Sequence, residues 1–219
     1  MIKVATCQFA VGADVGANLR QVARQMRLAK ARSAHVAHFP EGALSGYVDS
    51  DLDSFEGYDW DRLAQAIEQI LALAGEIGIW AVIGSAHRLS GSHKPHNSVY
   101  VVDDAGELVD RYDKRFCAGN RDERAGELAH YSPGDHASLW EINGVRCGAL
   151  ICHEYRCDSV VRSIGHGANH GRLSLGRTPR LALPRTADDR LRHASNPNEL
   201  RREALASVRS AVRFAYEVA

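Results

Sequence analysis

The sequence predicts a layered α/β fold, and two observations carry the prediction. Over the first 88 residues, short apolar runs rich in strand formers alternate with stretches of helical periodicity, in the order β-α-β-α-β. Beyond residue 88 the alternation gives way to two strand pairs, each joined by turn-forming residues. At 219 residues the chain is long enough to bury a substantial core and is read as one domain with a tail.

Each element has its own justification. Ile2 to Ala10 is short and apolar and reads as the first strand; after "GADVGAN", Leu19, Val22, Ala23 and Met26 recur at helical spacing. "AHVAHFPE" (34–41) reads as a second buried strand stopped by Pro40, which has no N–H to give a sheet ladder. Glu41 then lies just past a strand end. "WDRLAQAIEQILALAGEIG" (60–78) brings Leu63, Ala66, Ile67, Ile70, Leu71 and Leu73 to one side of a helix, with Gly75 and Gly78 as stop signals. "IWAVIGSAHR" (79–88) follows as a strand.

"NSVYVVDDAGELVDRYDKRF" (97–116) supplies two arms joined through Asp104, Ala105 and Gly106. "SLWEINGVRCGALIC" (138–152) supplies two more, joined by Asn143-Gly144, a strong hairpin signal. The last arm is expected to bury Cys147 and to end on Cys152. Between the hairpins, "CAGNRDERAGELAHYSPGD" (117–135) is charged and glycine-bearing, hence a loop or a loop holding a short helix. A loop of that length within a domain is a candidate for function.

Composition narrows the function. Zero formal net charge and 45% hydrophobic residues place the chain among ordinary soluble globular proteins, with no bulk electrostatic pull toward nucleic acid or membrane. No apolar run reaches the roughly 18 residues of a membrane span, and "MIKVATCQFA" lacks the pattern of a signal peptide. The five cysteines, at 7, 117, 147, 152 and 157, are odd in number and irregularly spaced, which predicts reduced thiols and a cytoplasmic protein.

Three residues could carry chemistry together. Cys152, followed by His153, Glu154 and Arg156, sits where an apolar run meets polar chain; Glu41 and Lys114 also lie at or just beyond predicted strand ends, where layered α/β sheets gather ligands. Singly, each has a plainer reading as an inert thiol, a solvated loop carboxylate and a surface lysine. Together they supply a nucleophile, a base for its proton and a cation for the thiolate and a developing oxyanion, with no need of histidine.

"FPEGALSGY" (39–47), "RYDKRF" (111–116), "ELAHYSPGD" (127–135) and "GALICHEYR" (148–156) resemble, in order and spacing, four motif regions of the carbon-nitrogen hydrolase family, the nitrilase superfamily. The opening "IKVATCQFAVGADVGANL" is similar to that family's first strand, with an Asn starting the first helix. The resemblance covers residues 1 to 156. It implies a four-layer α-β-β-α sandwich and a catalytic triad of Glu41, Lys114 and Cys152. It also implies a supporting glutamate at Glu127, with Glu123 in the same loop as the competing assignment, and an oxyanion donor in the backbone N–H of His153. The implied reaction hydrolyses a non-peptide C–N bond of a small amide, carbamoyl compound or nitrile through a thioester, releasing ammonia. No metal or organic cofactor is implied; homo-oligomeric assembly is.

Beyond Arg156 the pattern departs from the family. "CDSVVRSIGHGANHG" (157–171) lacks the expected Phe-Pro-Glu-like step into a helix, and residues 166–219 hold ten Arg, no Lys and five acidic residues without strand alternation. The domain is therefore drawn over 1–165 and an Arg-rich divergent segment over 166–219, whose one expected helix is 198–218. A shortened, divergent member and a reading-frame shift near residues 156–165 compete as explanations, and on either the second sheet is expected to be incomplete. Three further readings follow: a catalytically inactive binding protein of the same fold, nucleic-acid binding by the Arg-rich segment, and a metal site from Cys147, Cys152, Cys157 and His153 or from His166 and His170. The last lacks paired C-x2-C knuckles.

Overall fold

Pairing between short apolar runs builds the frame of the protein. In the computed structural model, which describes residues 1–119 and 126–157, Val4–Thr6 (β1), Val36–His38 (β2), Trp80–His87 (β3), His96–Val102 (β4) and Leu108–Asp113 (β5) form one sheet in that order. The first two pairings are parallel and the next two antiparallel. The parallel strands are connected by helices Val15–Ala31 (α1) and Trp60–Ile77 (α2). Leu139–Ile142 (β6) and Val145–Gly148 (β7) make a separate antiparallel pair. A one-turn helix, Glu127–His130 (α3), and a 3-10 segment, Cys152–Arg156, complete the described elements.

Period-two alternation buries the sheet on both faces. Ala37, Ala81, Ile83 and Val102 point to one side and pack with Val22 and Met26 of α1 and Leu63 and Ile70 of α2. Val36, Val82, Val99, Val101 and Tyr112 point to the other, where Ile142, Ala149 and Ile151 cover them. The described residues thus give an α-β-β succession; a second helical layer is not present among them. No helix of the described residues is long and apolar enough to cross a membrane.

Helix ends follow their capping residues. Asp14 caps α1 by accepting from the N–H groups of Gly16 (2.8 Å) and Ala17 (3.2 Å), and Asp59 caps α2 by accepting from Arg62 N–H (2.9 Å). Gly78 ends α2 at φ +65°, a left-handed position suited to glycine. Asn18, expected to start α1, lies in its first turn instead. It is buried there, and its side chain ties Gly12 and the Leu44 carbonyl together.

The two hairpins fall where expected. β4 and β5 turn through residues 103–107, with the Asp103 carboxylate accepting from Ala105 and Glu107 N–H. Asn143 and Gly144 both take positive φ between the paired Ile142 and Val145, as a two-residue turn requires.

Other boundaries are corrected. β1 is a three-residue edge strand rather than Ile2 to Ala10, because β2 is its one partner among the described residues and Val4 is half exposed. β7 stops at Gly148, so Cys152 is delivered by a buried extended link through Ala149 and Ile151, not by the strand end itself. Cys147 is half-buried rather than core. The expected helix over 198–218, the Arg-rich segment 166–219, His166 and His170 lie outside the described residues.

Candidate active site

Glu41 enters the site three residues after β2. Phe39 N–H still pairs with Val82 of β3 (2.8 Å), then Pro40 releases the chain into a turn that returns through Leu44 N–H to the Gly84 carbonyl (3.0 Å). The turn lies directly on β3 because position 84 has no side chain. A Cβ there would meet the Pro40 carbonyl oxygen at 2.2 Å and the Glu41 Cα at 2.7 Å.

Lys114 follows β5 and extends its ladder, donating its N–H to the Asn97 carbonyl (2.8 Å). Its side chain is 1% exposed. Such a cation stays buried only if it is paired, and two carboxylates do the pairing: Glu127 Oε1 at 2.6 Å and Glu41 Oε1 at 2.9 Å from Nζ.

Glu127 opens α3, so of the two readings of this stretch, a loop or a loop holding a short helix, the second is found. Its N–H donates to the Ala118 carbonyl (2.8 Å), while the Ala118 N–H returns to Glu127 Oε2 and closes the loop. Oε1 also accepts from Tyr47 OH (2.8 Å) and Asn97 Nδ2 (3.1 Å). Tyr47 is steadied by Tyr131, stacked at 5.9 Å, which in turn meets Phe55 edge-on at 5.5 Å. Glu123, the competing assignment, lies outside the described residues.

Asn97 and Tyr47 did not stand out in the sequence. The Asn97 amide donates to both Glu41 Oε1 (2.6 Å) and Glu127 Oε1 (3.1 Å), holding the two carboxylates beside one cation. An Asn just ahead of the apolar run "VYVV" (99–102), in a strand buried along its whole length, is the signal that could have found it. Tyr47 sits inside a quoted motif, but no local pattern says that its hydroxyl crosses to residue 127.

Electrostatics assigns the charges. Burial alone pushes the Glu127 carboxyl up, yet Lys114 and the N–H of Ala118 outweigh burial and hold it below the usual carboxylate value. Burial alone would lower Lys114; its bonds to Glu127 and Glu41 outweigh that and raise it. Both are therefore charged at neutral pH. The Cys152 thiol, on an exposed residue, is raised by the partial burial of its sulfur and by the charges of Glu41 and Glu127, against the opposing pull of Lys114 and the His153 backbone N–H.

Cys152 differs in its setting. It is exposed, begins the 3-10 segment and sits at φ +53°, a left-handed conformation that costs a non-glycine residue on the order of 1 kcal/mol or more and recurs at functional sites. Glu41, Lys114 and Glu127 are joined by direct bonds, and Cys152 joins them through the charges that act on its thiol. The arrangement can deprotonate a thiol and stabilise an anion formed beside it.

Comparison with known proteins bears on the family and the fold. A family model described as carbon-nitrogen hydrolase matches residues 3–173, beyond the Arg156 limit set from the motifs. The glutamine-dependent NAD(+) synthetase of Acinetobacter baylyi is 26% identical over 164 residues, 74% of this chain and 29% of that protein. The 2-oxoglutaramate amidase of Bacillus subtilis is 27% identical over 133 residues, 61% of this chain and 48% of that protein. Among solved structures, an amidase of the nitrilase superfamily from Nesterenkonia AN1 superposes with a TM-score of 0.66 at 20% identity, covering 76% of this chain and 62% of that one. That likeness establishes the α/β fold expected from the alternation of strands and helices. The chain spans between 29% and 57% of the length of four curated relatives that it matches.

Proposed function

From the premise that this chain belongs to the carbon-nitrogen hydrolase family, we propose that it hydrolyses the C–N bond of a small amide, with Cys152 as nucleophile, Glu41 as base and Lys114 as the cation facing the oxyanion. One observation carries the reading: Lys114 Nζ is shared between Glu41 and Glu127 beside a thiol that feels all three charges. In a glutamate-to-glutamine mutant of the amidase from Nesterenkonia sp. AN1, the acetamide moiety of fluoroacetamide is added covalently at the active site cysteine, which supports a nucleophilic role for Cys152.

The hydrogen-bond inventory divides the roles. Glu127 is engaged through both oxygens, Oε1 by Lys114, Asn97 and Tyr47 and Oε2 by Ala118 N–H, so it is fixed as an anion. Glu41 takes Lys114 and Asn97 on Oε1, and among the described residues Oε2 has no hydrogen-bond donor, which leaves it for a proton. A lysine ammonium has three N–H donors, and two go to the glutamates. The third is Lys114's contribution to the reaction.

In the proposed sequence, Glu41 accepts the Cys152 proton as sulfur attacks the amide carbonyl carbon; a raised thiol needs a base at this step rather than beforehand. The carbonyl oxygen, now an oxyanion, faces the third Lys114 N–H and the His153 backbone N–H. One well-placed donor of this kind contributes about 3–4 kcal/mol in other enzymes. The C–N bond breaks, Glu41 returns its proton to the leaving nitrogen, and ammonia departs from a thioester on Cys152. Glu41 then takes a proton from the water that attacks the thioester and returns it to the departing Cys152 sulfur, which frees the acid and the thiol and restores the carboxylate.

The test is ammonia release from a panel of short aliphatic amides, ω-amides of dicarboxylic acids, carbamoyl compounds and nitriles, by the purified chain and by Cys152→Ala. Release that depends on an amide and vanishes in the variant supports the proposal. Equal release by both proteins removes Cys152 from the mechanism.

A further inference from the structure

We propose that Glu154 is a positioning residue that sets Cys152 against Lys114 by clamping the two chain segments that carry them. The inference deepens the hydrolase reading and rests on it for the identity of the nucleophile. Lys114 follows β5, on the five-stranded sheet, whereas Cys152 follows the β6–β7 hairpin; the two segments belong to different sheets. Something must fix the spacing between them.

The Glu154 carboxylate lies between the two segments and is fully buried. On the lysine side, Oε1 accepts from Tyr112 OH (2.9 Å), Arg115 N–H (2.8 Å) and Phe116 N–H (3.1 Å), so it grips the chain on both flanks of Lys114. On the cysteine side, Oε2 accepts from Ile151 N–H (2.8 Å), the residue immediately before the nucleophile, and lies 3.0 Å from Tyr112 OH. Glu154 is itself two residues past Cys152, so its own segment closes a loop around the thiol. Four donors from two segments converge on one carboxylate, and none comes from the Glu41–Lys114–Glu127 group.

The chemistry requires a carboxylate and not an amide. All four partners are donors, and an ionised carboxylate is acceptor-only. Glutamine would place an NH2 group against at least one backbone N–H, leaving a buried donor unpaired. Its loss should release the cysteine segment from the lysine segment, and a displacement of about 1 Å in a reacting geometry can cost roughly 10²-fold in rate.

The experiment is site-resolved alkylation of Cys152 by iodoacetamide across pH, read by peptide mass spectrometry, on wild type, Glu154→Gln and Tyr112→Phe. It needs no substrate and no hydrolytic activity. In wild type the midpoint is expected above that of an ordinary thiol, because partial burial and the Glu41 carboxylate raise it. In Glu154→Gln the Cys152 midpoint and rate shift as the thiol changes its burial and its place between the Glu41 and Lys114 charges, while Cys7, buried in the helix-covered core, keeps its wild-type rate. Tyr112→Phe, which removes one neutral donor, shifts it in the same direction by less.

A folded Glu154→Gln protein with an unchanged Cys152 midpoint and rate overturns the proposal. If Glu154→Gln does not fold, Tyr112→Phe decides, and an unshifted profile in that variant is equally fatal. On a turned-over amide, kcat falls roughly 10²-fold in Glu154→Gln with KM little changed. If wild type turns over no amide but the midpoint still shifts, the hydrolase reading fails and the positioning role stands.

Discussion

Lys114 and Glu127, on the floor of the site, are 1% and 5% exposed and engage each other, Glu41, Asn97, Tyr47 and a backbone N–H. Cys152, at the mouth, is exposed, follows three residues of non-strand chain and carries a left-handed backbone. The floor is built as a buried ion cluster whose members have no cheap alternative, whereas the mouth is built to be reached. Stability should therefore reside in the floor and reactivity in the mouth, and substitutions can separate the two.

The largest separation is expected from Cys152→Ala. Removing a nucleophile from a concerted catalytic set costs several powers of ten in rate, about 10⁶ in one well-studied protease. Amide turnover should fall by roughly 10⁴-fold or more by that precedent, while the urea midpoint changes little because the thiol is exposed. A variant that loses stability as well as activity would show that the mouth is structural after all.

Lys114→Met should do the reverse. It leaves Glu127 and Glu41 beside each other without their cation, and breaking one partner of a buried pair costs about 3–5 kcal/mol. Urea denaturation at neutral pH measures it. The same cluster predicts a pH signature. Glu127 has a depressed folded-state value, so its contribution is present above the unfolded carboxylate value and is lost as pH falls through the folded one. Lys114 has a raised value, so its contribution is present below the unfolded lysine value and is lost as pH rises through the folded one. Stability should therefore plateau across neutral pH. Glu127→Gln should flatten the acid limb of that curve; an unchanged acid limb would assign it to other carboxylates.

Asn97→Ala tests the link between the two glutamates. Removing a buried donor that serves both carboxylates is expected to cost about 1–3 kcal/mol, less than losing the cation. The urea midpoint again reports it, and turnover should fall with it because Glu41 loses one of its two holds on Oε1.

The same contrast explains what could be read from the sequence. Glu41, Lys114 and Cys152 stand beside patterns with a local cause: Pro40 stopping a strand, "RYDKRF" ending another, Asn143-Gly144 turning a hairpin. α2 was legible because its apolar spacing and glycine stop are local too. Asn97, Tyr47 and the role of Glu154 were not, since their partners lie 30 to 80 residues away and a hydrogen bond across strands leaves no local periodicity. Gly84 illustrates the difference: in sequence it is a weak residue inside a strand, and its reason appears only when the Glu41 turn is laid on top of it.

The finest prediction concerns the backbone at the mouth. If φ +53° at Cys152 is strain, glycine should relieve it and alanine should not, because alanine carries the same Cβ into the left-handed region. Against the extra unfolded-state entropy of glycine, the net gain of Cys152→Gly over Cys152→Ala is expected at about 0.5–1 kcal/mol. That is roughly 2 °C in Tm for a chain of this size. Both variants lack the thiol, so comparing them by thermal unfolding removes every effect of sulfur and leaves the backbone alone. A glycine variant no more stable than the alanine one would mean that the backbone at Cys152 is relaxed, and that accessibility rather than strain distinguishes the mouth from the floor.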